Sequence, residues 1–342
     1  MAYTTIDNPE LYFQSVLWTG NGSNPRTITF GGDENMQPDL LWYKCRSHAV
    51  PHILLDSVRG AGNDKELSPN SDLQEGSQSS ETDGFISAFT SDGFTLAAGS
   101  SGGDHYTNEG SRTFVAWGWK ESADAGFDIV TYTGSGSAQN ISHSLSAVPE
   151  FFPTKRRSGT NQWRTYHVGA SDSATDYTNL DTTDAFGDDA TIFNDTMPTS
   201  SVFTVGTDSG INGSSETYVT YLWTGKQGFS KFGSYIGNGS SDGTFVYTGF
   251  KPAWVMMKRT DSSGYHWEIW DNKRNTFNLV NTGLTANVNY ADFTETFGDF
   301  LSNGFKIRGT NANKNASGGT YIYMAFAEAP FVNSNGVPCN AR

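Results

Sequence analysis

The side chains that could do chemistry in this chain are few and scattered. Its six histidines are His48, His52, His105, His143, His167 and His266. Nucleophilic hydrolysis needs a Ser or Cys, a His and an orienting acid to converge. His52 and His167 fall at the first and last positions of one recurring segment, so they are not equivalents, and the other four have no counterparts. Gly134-Ser-Gly-Ser137 and Gly99-Ser-Ser-Gly102 read as turns, not nucleophile elbows. Glycan hydrolysis needs paired carboxylates. Here the aspartates sit mostly in Gly/Ser/Thr loops. Asp56 and Asp271 hold equivalent places while His167 stands in the middle copy, which reads as strand-end carboxylates capping turns. The acidic stretch from Asp172 to Asp195 offers hard oxygen ligands for Ca²⁺, with Asp184, Asp188 and Asp189 as the candidates. No EF-hand spacing is present, so a solvated loop is the plainer reading. Phosphate-cradling glycine motifs are absent. The expectation is no catalytic residue and no cofactor, Ca²⁺ excepted.

The most regular charges are Lys44, Lys155 and Lys258, with Arg46 and Arg157 two positions on. Strand alternation puts each Lys and Arg on one face. That face could meet a neighbour or an anionic glycan. The reading favoured here is a structural pairing of these lysines with Asp56 and Asp271. Nine Trp and fifteen Tyr remain. Those at recurring positions (Trp117, Trp223, Trp254) belong to cores. The others can stack on sugar rings, and Trp163, Tyr166, Tyr177, Tyr106, Tyr265 and His266 are the glycan-binding candidates.

The elements that position these residues come in three copies. Trp18-Thr-Gly-Asn-Gly-Ser23 returns as Tyr132-Thr-Gly-Ser-Gly-Ser137 and Tyr235-Ile-Gly-Asn-Gly-Ser240. Pro38-Asp-Leu-Leu-Trp-Tyr-Lys44 returns from Pro149 to Lys155 and from Pro252 to Lys258. Further blocks start at His52, Trp163 and Trp267, at Phe94, Phe203 and Phe305, and at Thr113, Thr217 and Thr320. The offsets hold: 149 − 38 is 111, 252 − 149 is 103, 217 − 113 is 104 and 320 − 217 is 103. Such a period is domain-sized, too long for a solenoid unit. The blocks are β-branched and aromatic, and Gly/Asn turns separate them. The prediction is an all-β chain of three tandem β-sandwich domains, jelly-roll or lectin-like, with little helix. The segments are a leader at 1–12, repeats at 13–123, 124–228 and 229–332, and a tail at 333–342. The short joints Ser122–Gly126 and Thr224–Gly228 predict a stiff row or a compact cluster.

Composition narrows the partners. Lys+Arg number 22 and Asp+Glu 36 in 342 residues, so 22 − 36 gives a net charge of −14. A chain this acidic repels phosphate backbones and anionic membrane surfaces. Only 17% of residues are charged, against roughly 25% in ordinary domains, which suits a β-rich surface protein. No apolar run is long enough to span a bilayer. The opening Met1–Asp7 lacks the features of a secretory signal. Cys45 and Cys339 are expected as free thiols.

Taken together, the Thr-Gly-Asn-Gly-Ser motif, Pro38-Asp-x-x-Trp-x-Lys-x-Arg-Ser47, Leu55-Asp-Ser-Val-Arg-Gly60, the Ser91-Asp-Gly-Phe-Thr95 turn and Thr113-Phe-Val-Ala-Trp117 resemble the repeat of virion structural proteins from marine and cyanobacterial bacteriophages. The opening Ala2–Pro9 and the ending Ala325–Phe331 resemble the ends of those proteins. The second repeat departs most, lacking the Ser-Asp-Gly turn and carrying Pro153. The resemblance implies a tail fibre or host-recognition appendage on the virion exterior, synthesised in the host cytoplasm and without enzymatic activity. It implies other virion proteins and host surface polysaccharide as partners, and a homo-oligomer, a trimer for preference. The alternative is a capsid decoration, head-fibre or tail-collar protein. A depolymerising tailspike ranks last, because the short β-helical period is missing.

Overall fold

In each repeat the first strand pairs along its whole length with the last, and the last strand also pairs with the third. The computed structural model describes residues 3–78, 80–100, 102–170 and 176–339. In the first repeat the strand order is Phe13–Thr19, Thr113–Trp119, Leu40–Cys45, Ile53–Asp56. The second repeats it as Phe127–Thr133, Thr217–Trp223, Phe151–Arg156, Arg164–His167, then adds Asp176–Asn179 and Gly187–Asp188. In the third, Ser230–Ile236, Thr320–Pro330, Phe250–Arg259 and Glu268–Asp271 continue through Val280–Thr285. Three more strands, Phe293–Leu301, Gly304–Ile307 and Phe245–Tyr247, complete an eight-stranded, nearly closed barrel-like sheet. All described pairings are antiparallel and lie within one repeat. The helices described are single turns.

The motif that opens each repeat follows from backbone crowding. A Cβ on Gly20, Gly134 or Gly237 would overlap the backbone at Asn108–Glu109, Asn212–Gly213 or Asn315–Ala316. Two residues on, Gly22, Gly136 and Gly239 take φ of 70°, 75° and 67°, a conformation that glycine adopts at least cost.

The central strands are buried on both faces. Leu40–Cys45 has no exposed residue, the pattern of a strand covered on two sides. Leu41, Tyr43 and Cys45 pack toward the repeat's own second sheet, formed by Arg26–Thr29, Gly93–Ala97 and Phe85–Thr90. Leu40 and Trp42 point the other way, into a cluster drawn from all three repeats. There Trp119 meets its own equivalent Trp223 at 6.2 Å between ring centroids, and Trp254 and Phe326 at 5.6 Å. At this junction is an apolar void of about 10 Å³, bordered by Trp42, Trp119, Tyr221, Trp254 and Met324 among others. It is no bigger than one water and offers a water too few polar partners. The largest core therefore crosses the seams between repeats, whereas the sequence reading placed a separate core in each.

Polar contacts tie the repeats head to tail. Trp163 of the second repeat donates its indole N–H to Ser68 O of the first at 2.8 Å, and Trp267 of the third donates to Asn179 O of the second at 3.1 Å. His52 holds the equivalent place in the first repeat. Its Nδ1 accepts from Trp42 Nε1, so Nε2 carries the proton, and the ring faces the backbone of Thr285 in the third. Ser68, Asn179 and Thr285 are themselves equivalent, each following a residue paired to the fourth strand. A second set repeats the pattern. Glu75 N donates to Arg157 O, Asp292 N to Arg46 O and Phe186 N to Thr260 O. Second contacts first, third contacts second and first contacts third, so the ring closes.

Buried charges mark two of the seams. Arg59, with its side chain 1% exposed, pairs with Asp56 and Glu75 and bonds Tyr221 Oη of the second repeat at 3.0 Å. Arg157 of the second repeat reaches the same Glu75 at 2.9 Å. In the copy of this arrangement Arg274 pairs with Asp271 and Asp292, Arg46 reaches Asp292 at 2.7 Å, and Trp117 donates to Asp271 at 3.1 Å. Asp56 and Asp271 also accept the backbone N–H of Arg59 and Arg274, so they cap their turns. The lysines do not pair with them, contrary to the sequence reading. Lys44, Lys155 and Lys258 are fully buried and donate to loop carbonyls, His48 O and Cys45 O, Asp72 O and Asn161 O, and Arg259 O respectively. Burial draws each ammonium down to about 8. The arginines took the carboxylates because their forked donors reach two acids at once.

The third seam carries His167. Its Nε2 donates to Tyr323 O at 3.0 Å and Nδ1 accepts from Gly169 N at 2.9 Å, so the ring is neutral, and burial holds it down to about 4.

Removing one partner of a buried pair strands the other charge. Arg59→Ala should therefore lower unfolding free energy by about 3–5 kcal/mol, measured by urea titration; a loss under about 1 kcal/mol would contradict the ion-node account. His167 has a depressed folded value, so its contribution is whole above the ordinary imidazole value of about 6.5 and lost as pH falls toward about 4. His167→Gln should flatten that acid-side decline in a series of thermal melts; an unchanged slope would contradict it.

Candidate functional site

Four of the six aromatic candidates fill structural positions. Trp163 is fully buried at the first seam. Tyr166 is fully buried and stacks on Phe152 at 4.7 Å. Neither ring has a face free for a sugar, which corrects the sequence assignment. Tyr106 is buried too. His266 is half-buried, with Nδ1 bonded to Asn287 at 3.2 Å. Tyr177 packs against the second repeat's own cluster, and Tyr265 flanks the seam between the second and third repeats. Its loops join through Ala185 N to Ser263 Oγ and Gly264 N to Thr183 O, both 2.9 Å. Each of these rings is already capped by a guanidinium: Arg164 at 5.4 Å over Tyr177 and Arg259 at 4.4 Å over Tyr265. Sequence spacing could not show which recurring or unmatched aromatics would be covered by another repeat.

In the described part of the acidic loop the three aspartate candidates make separate local contacts. Asp189 caps the single turn Ala190–Phe193 through Thr191 N, Asp184 bonds Thr182, and Asp188 is exposed in a two-residue strand. Asp172 lies outside the described residues. Among the described residues no group of three or more His, Cys, Asp or Glu is placed to hold a metal ion.

The structure also reveals two features absent from the sequence reading. One is structural. Asn108, Asn212 and Asn315 are fully buried, and each clamps its repeat's opening glycine loop through backbone groups. Each stands five positions before the recurring Thr, a spacing that would have revealed it. The other is a groove.

In the third repeat the last and third strands are longer. Thr320–Pro330 has 11 residues and Phe250–Arg259 has 10, against 7 and 6 in the first repeat. The extension pairs Lys251 with Ala329 and Pro252 with Ala327. It raises a wall beside the loop after Asp271 and the segment from Glu10 to Ser15. Two adjoining hollows of about 290 and 430 Å³ share Lys251, Asn272, Thr276 and Glu328 in that wall. Lys251 Nζ lies 2.8 and 2.7 Å from the two Glu328 oxygens, and Asn272 Nδ2 donates to Glu328 Oε2 at 2.9 Å. Asn272 Oδ1 is buried with no partner in the protein. Phe300 is buried at the floor of the larger hollow, while Phe277 at its rim is 79% exposed. Such a mixture of aromatic surface with a few convergent polar groups suits a small organic ligand.

Comparison with known proteins adds one finding. A family model described as a domain of unknown function, DUF7483, matches residues 8–330. The chain belongs to the DUF7483 family. The matched stretch takes in the first two repeats, both joints and all but the last two residues of the third repeat. No curated protein matches the chain significantly. In this DUF7483 member the groove residues fall inside the matched stretch, and Lys251, Asn272 and Glu328 have Gln37, Ser57 and Glu121 at the equivalent places of the first repeat.

The two kinds of aromatic should separate in mutagenesis. Trp163→Phe removes the indole donor and leaves Ser68 O without it, so stability should fall by about 1–3 kcal/mol. Phe277→Ala, at an exposed site, should change stability by no more than about 0.5 kcal/mol. Chemical denaturation of both variants checks this, and a reversed order would overturn the assignment of roles.

Proposed function

We propose that this chain is a non-enzymatic structural protein of a bacteriophage particle, a tail fibre or receptor-binding appendage on the virion exterior that recognises host surface polysaccharide. In this reading its three repeats are three tandem β-sandwich domains of jelly-roll or lectin-like type. It is made in the host cytoplasm and joins other virion proteins. The resemblance of its repeat to virion structural proteins is the origin of the reading. The observation that carries it furthest is the division of labour among the copies. What recurs is spent on closing the ring, and a groove with an exposed aromatic at its rim lies where the third copy departs.

The three seams are occupied by the chain's own repeats, so we also propose that the threefold arrangement expected of a homotrimer is met within one chain. A short-jointed ring of this kind holds a recognition groove at a set distance and angle, because loops carry specificity best on a rigid support. Unlike a nucleic-acid binder, the chain carries net negative charge and has no long-range attraction for phosphate.

A glycan array probed with the purified full chain, paired with competition against phage adsorption, tests this. Binding to host-type polysaccharide and a concentration-dependent block of adsorption are expected. A folded protein that neither binds cells nor slows adsorption would replace the receptor role with that of a capsid decoration, head-fibre or tail-collar component.

A further inference from the structure

We propose that the groove of the third repeat is the recognition cleft itself, and that it takes a neutral, hydroxyl-rich pyranose chain at least two sugars long. This rests on the polysaccharide-binding reading above and adds to it the ligand class and the residues.

Charge decides the class. The groove is lined by Lys251 and Lys273 on one side of the balance and by Glu10 and Glu328 on the other. Lys251 is locked to both oxygens of Glu328, so neither of those charges is left over for an ionic ligand, and the remaining Lys273 and Glu10 cancel in sum. A uronic or sialic carboxylate would have to displace Glu328 from Lys251 at the shared wall, and beside Lys273 it would share the smaller hollow with the like charge of Glu10. An amino sugar would have to displace Lys251 from Glu328. A hydroxyl does neither, because it can accept from the ammonium and donate to the carboxylate while the pair stays intact. Two adjacent hydroxyls on one ring present that combination.

The unpartnered Asn272 Oδ1 strengthens the argument. A buried acceptor without a donor costs free energy that a bound donor returns. Asn272 lines both hollows, and its amide nitrogen is held by Glu328, so its oxygen is oriented before any ligand arrives. A sugar hydroxyl is a donor of the right size.

Phe277 supplies the apolar half. A large aromatic ring that is 79% exposed does little for the fold. Placed at the rim of a polar groove it offers a flat face to the C–H side of a pyranose, and every hexose has such a face. The second hollow then fixes the length. Phe277 borders only the larger hollow, and Glu10, Gln14 and Lys273 border only the smaller one. A single ring on Phe277 would leave the smaller hollow unfilled. A linear chain would pass over the shared wall and occupy both.

The test uses the full chain and calorimetric titration with purified oligosaccharides of one to six sugars, in a neutral hexose series and a uronic-acid series. Neutral oligomers of two or more sugars should bind, and single sugars should bind at least about tenfold more weakly, a difference of about 1.4 kcal/mol. Phe277→Ala should reduce affinity about tenfold or more while the melting curve is unchanged. Asn272→Ala and Glu328→Gln should each reduce it too, and melting curves show whether either variant has lost its fold. If uronic oligomers bind and neutral ones do not, the ligand class is wrong. If wild type and Phe277→Ala bind neutral oligomers equally, the groove is wrong even though the chain binds glycan. If the wild-type chain binds no oligosaccharide and still blocks adsorption, this cleft is overturned while the receptor reading stands. If it also fails to block adsorption, the receptor reading fails with it.

Discussion

The main sheets of the first two repeats each have two apolar faces and only one partner sheet of their own, while the third repeat curls its single sheet into a near-barrel. The strand Leu40–Cys45 buries Leu41 and Tyr43 toward its small second sheet, and Leu40 and Trp42 toward the rest of the molecule. Left alone, a repeat would expose that second face, including Trp117 and Trp119. Water would penalise it at roughly 25 cal/mol for each Å² of apolar surface. Three repeats around one centre cover one another's faces at once. The short joints, the paired tryptophans and the void of about 10 Å³ all follow from that single demand.

Apolar burial is not directional, so it does not by itself say how three sheets should be turned against each other. The polar seams supply that. Arg59 and Arg274 occupy equivalent nodes, each holding two carboxylates and touching an aromatic side chain of the next repeat. Buried ion networks of this sort add little net stability, but they penalise any arrangement that leaves one member unpaired. The third seam departs from the pattern. His167 stands where the others have Asp, and a neutral imidazole bonded to Tyr323 O does the work of an ion node. Burial depresses His52 at the seam between the first and third repeats as well as His167, so two of the three joints carry a histidine that acid would have to charge.

Repetition also sorts the surface. Residues that recur in all three copies, such as the clamp asparagines and the buried lysines, are held inside by backbone groups. The third copy lengthens two strands, curls its sheet into a near-barrel and leaves Phe277 in solvent. Where a ring is built from copies, the place that breaks the pattern is free of the ring's constraints and available for recognition.

The β content, the turn glycines and the recurring strand blocks were legible in the sequence, because alternation, β-branching and constant offsets are local properties. Asp56 and Asp271 as turn caps were legible for the same reason. The partners of Lys44, Lys155 and Lys258 were not. Nothing along the chain says that Tyr221 and Arg157 of the second repeat will complete the node around Arg59 and Glu75, or that Trp163 will end inside a seam and Phe277 outside one. Those outcomes depend on which repeat lies against which, and contact between residues 95 or 162 positions apart leaves no local periodicity to read. The sequence by itself determined three copies of a strand-rich unit. Only the tertiary structure decided that they close into a ring with a common core, since that choice is made by faces that become apolar surfaces only after the strands have paired.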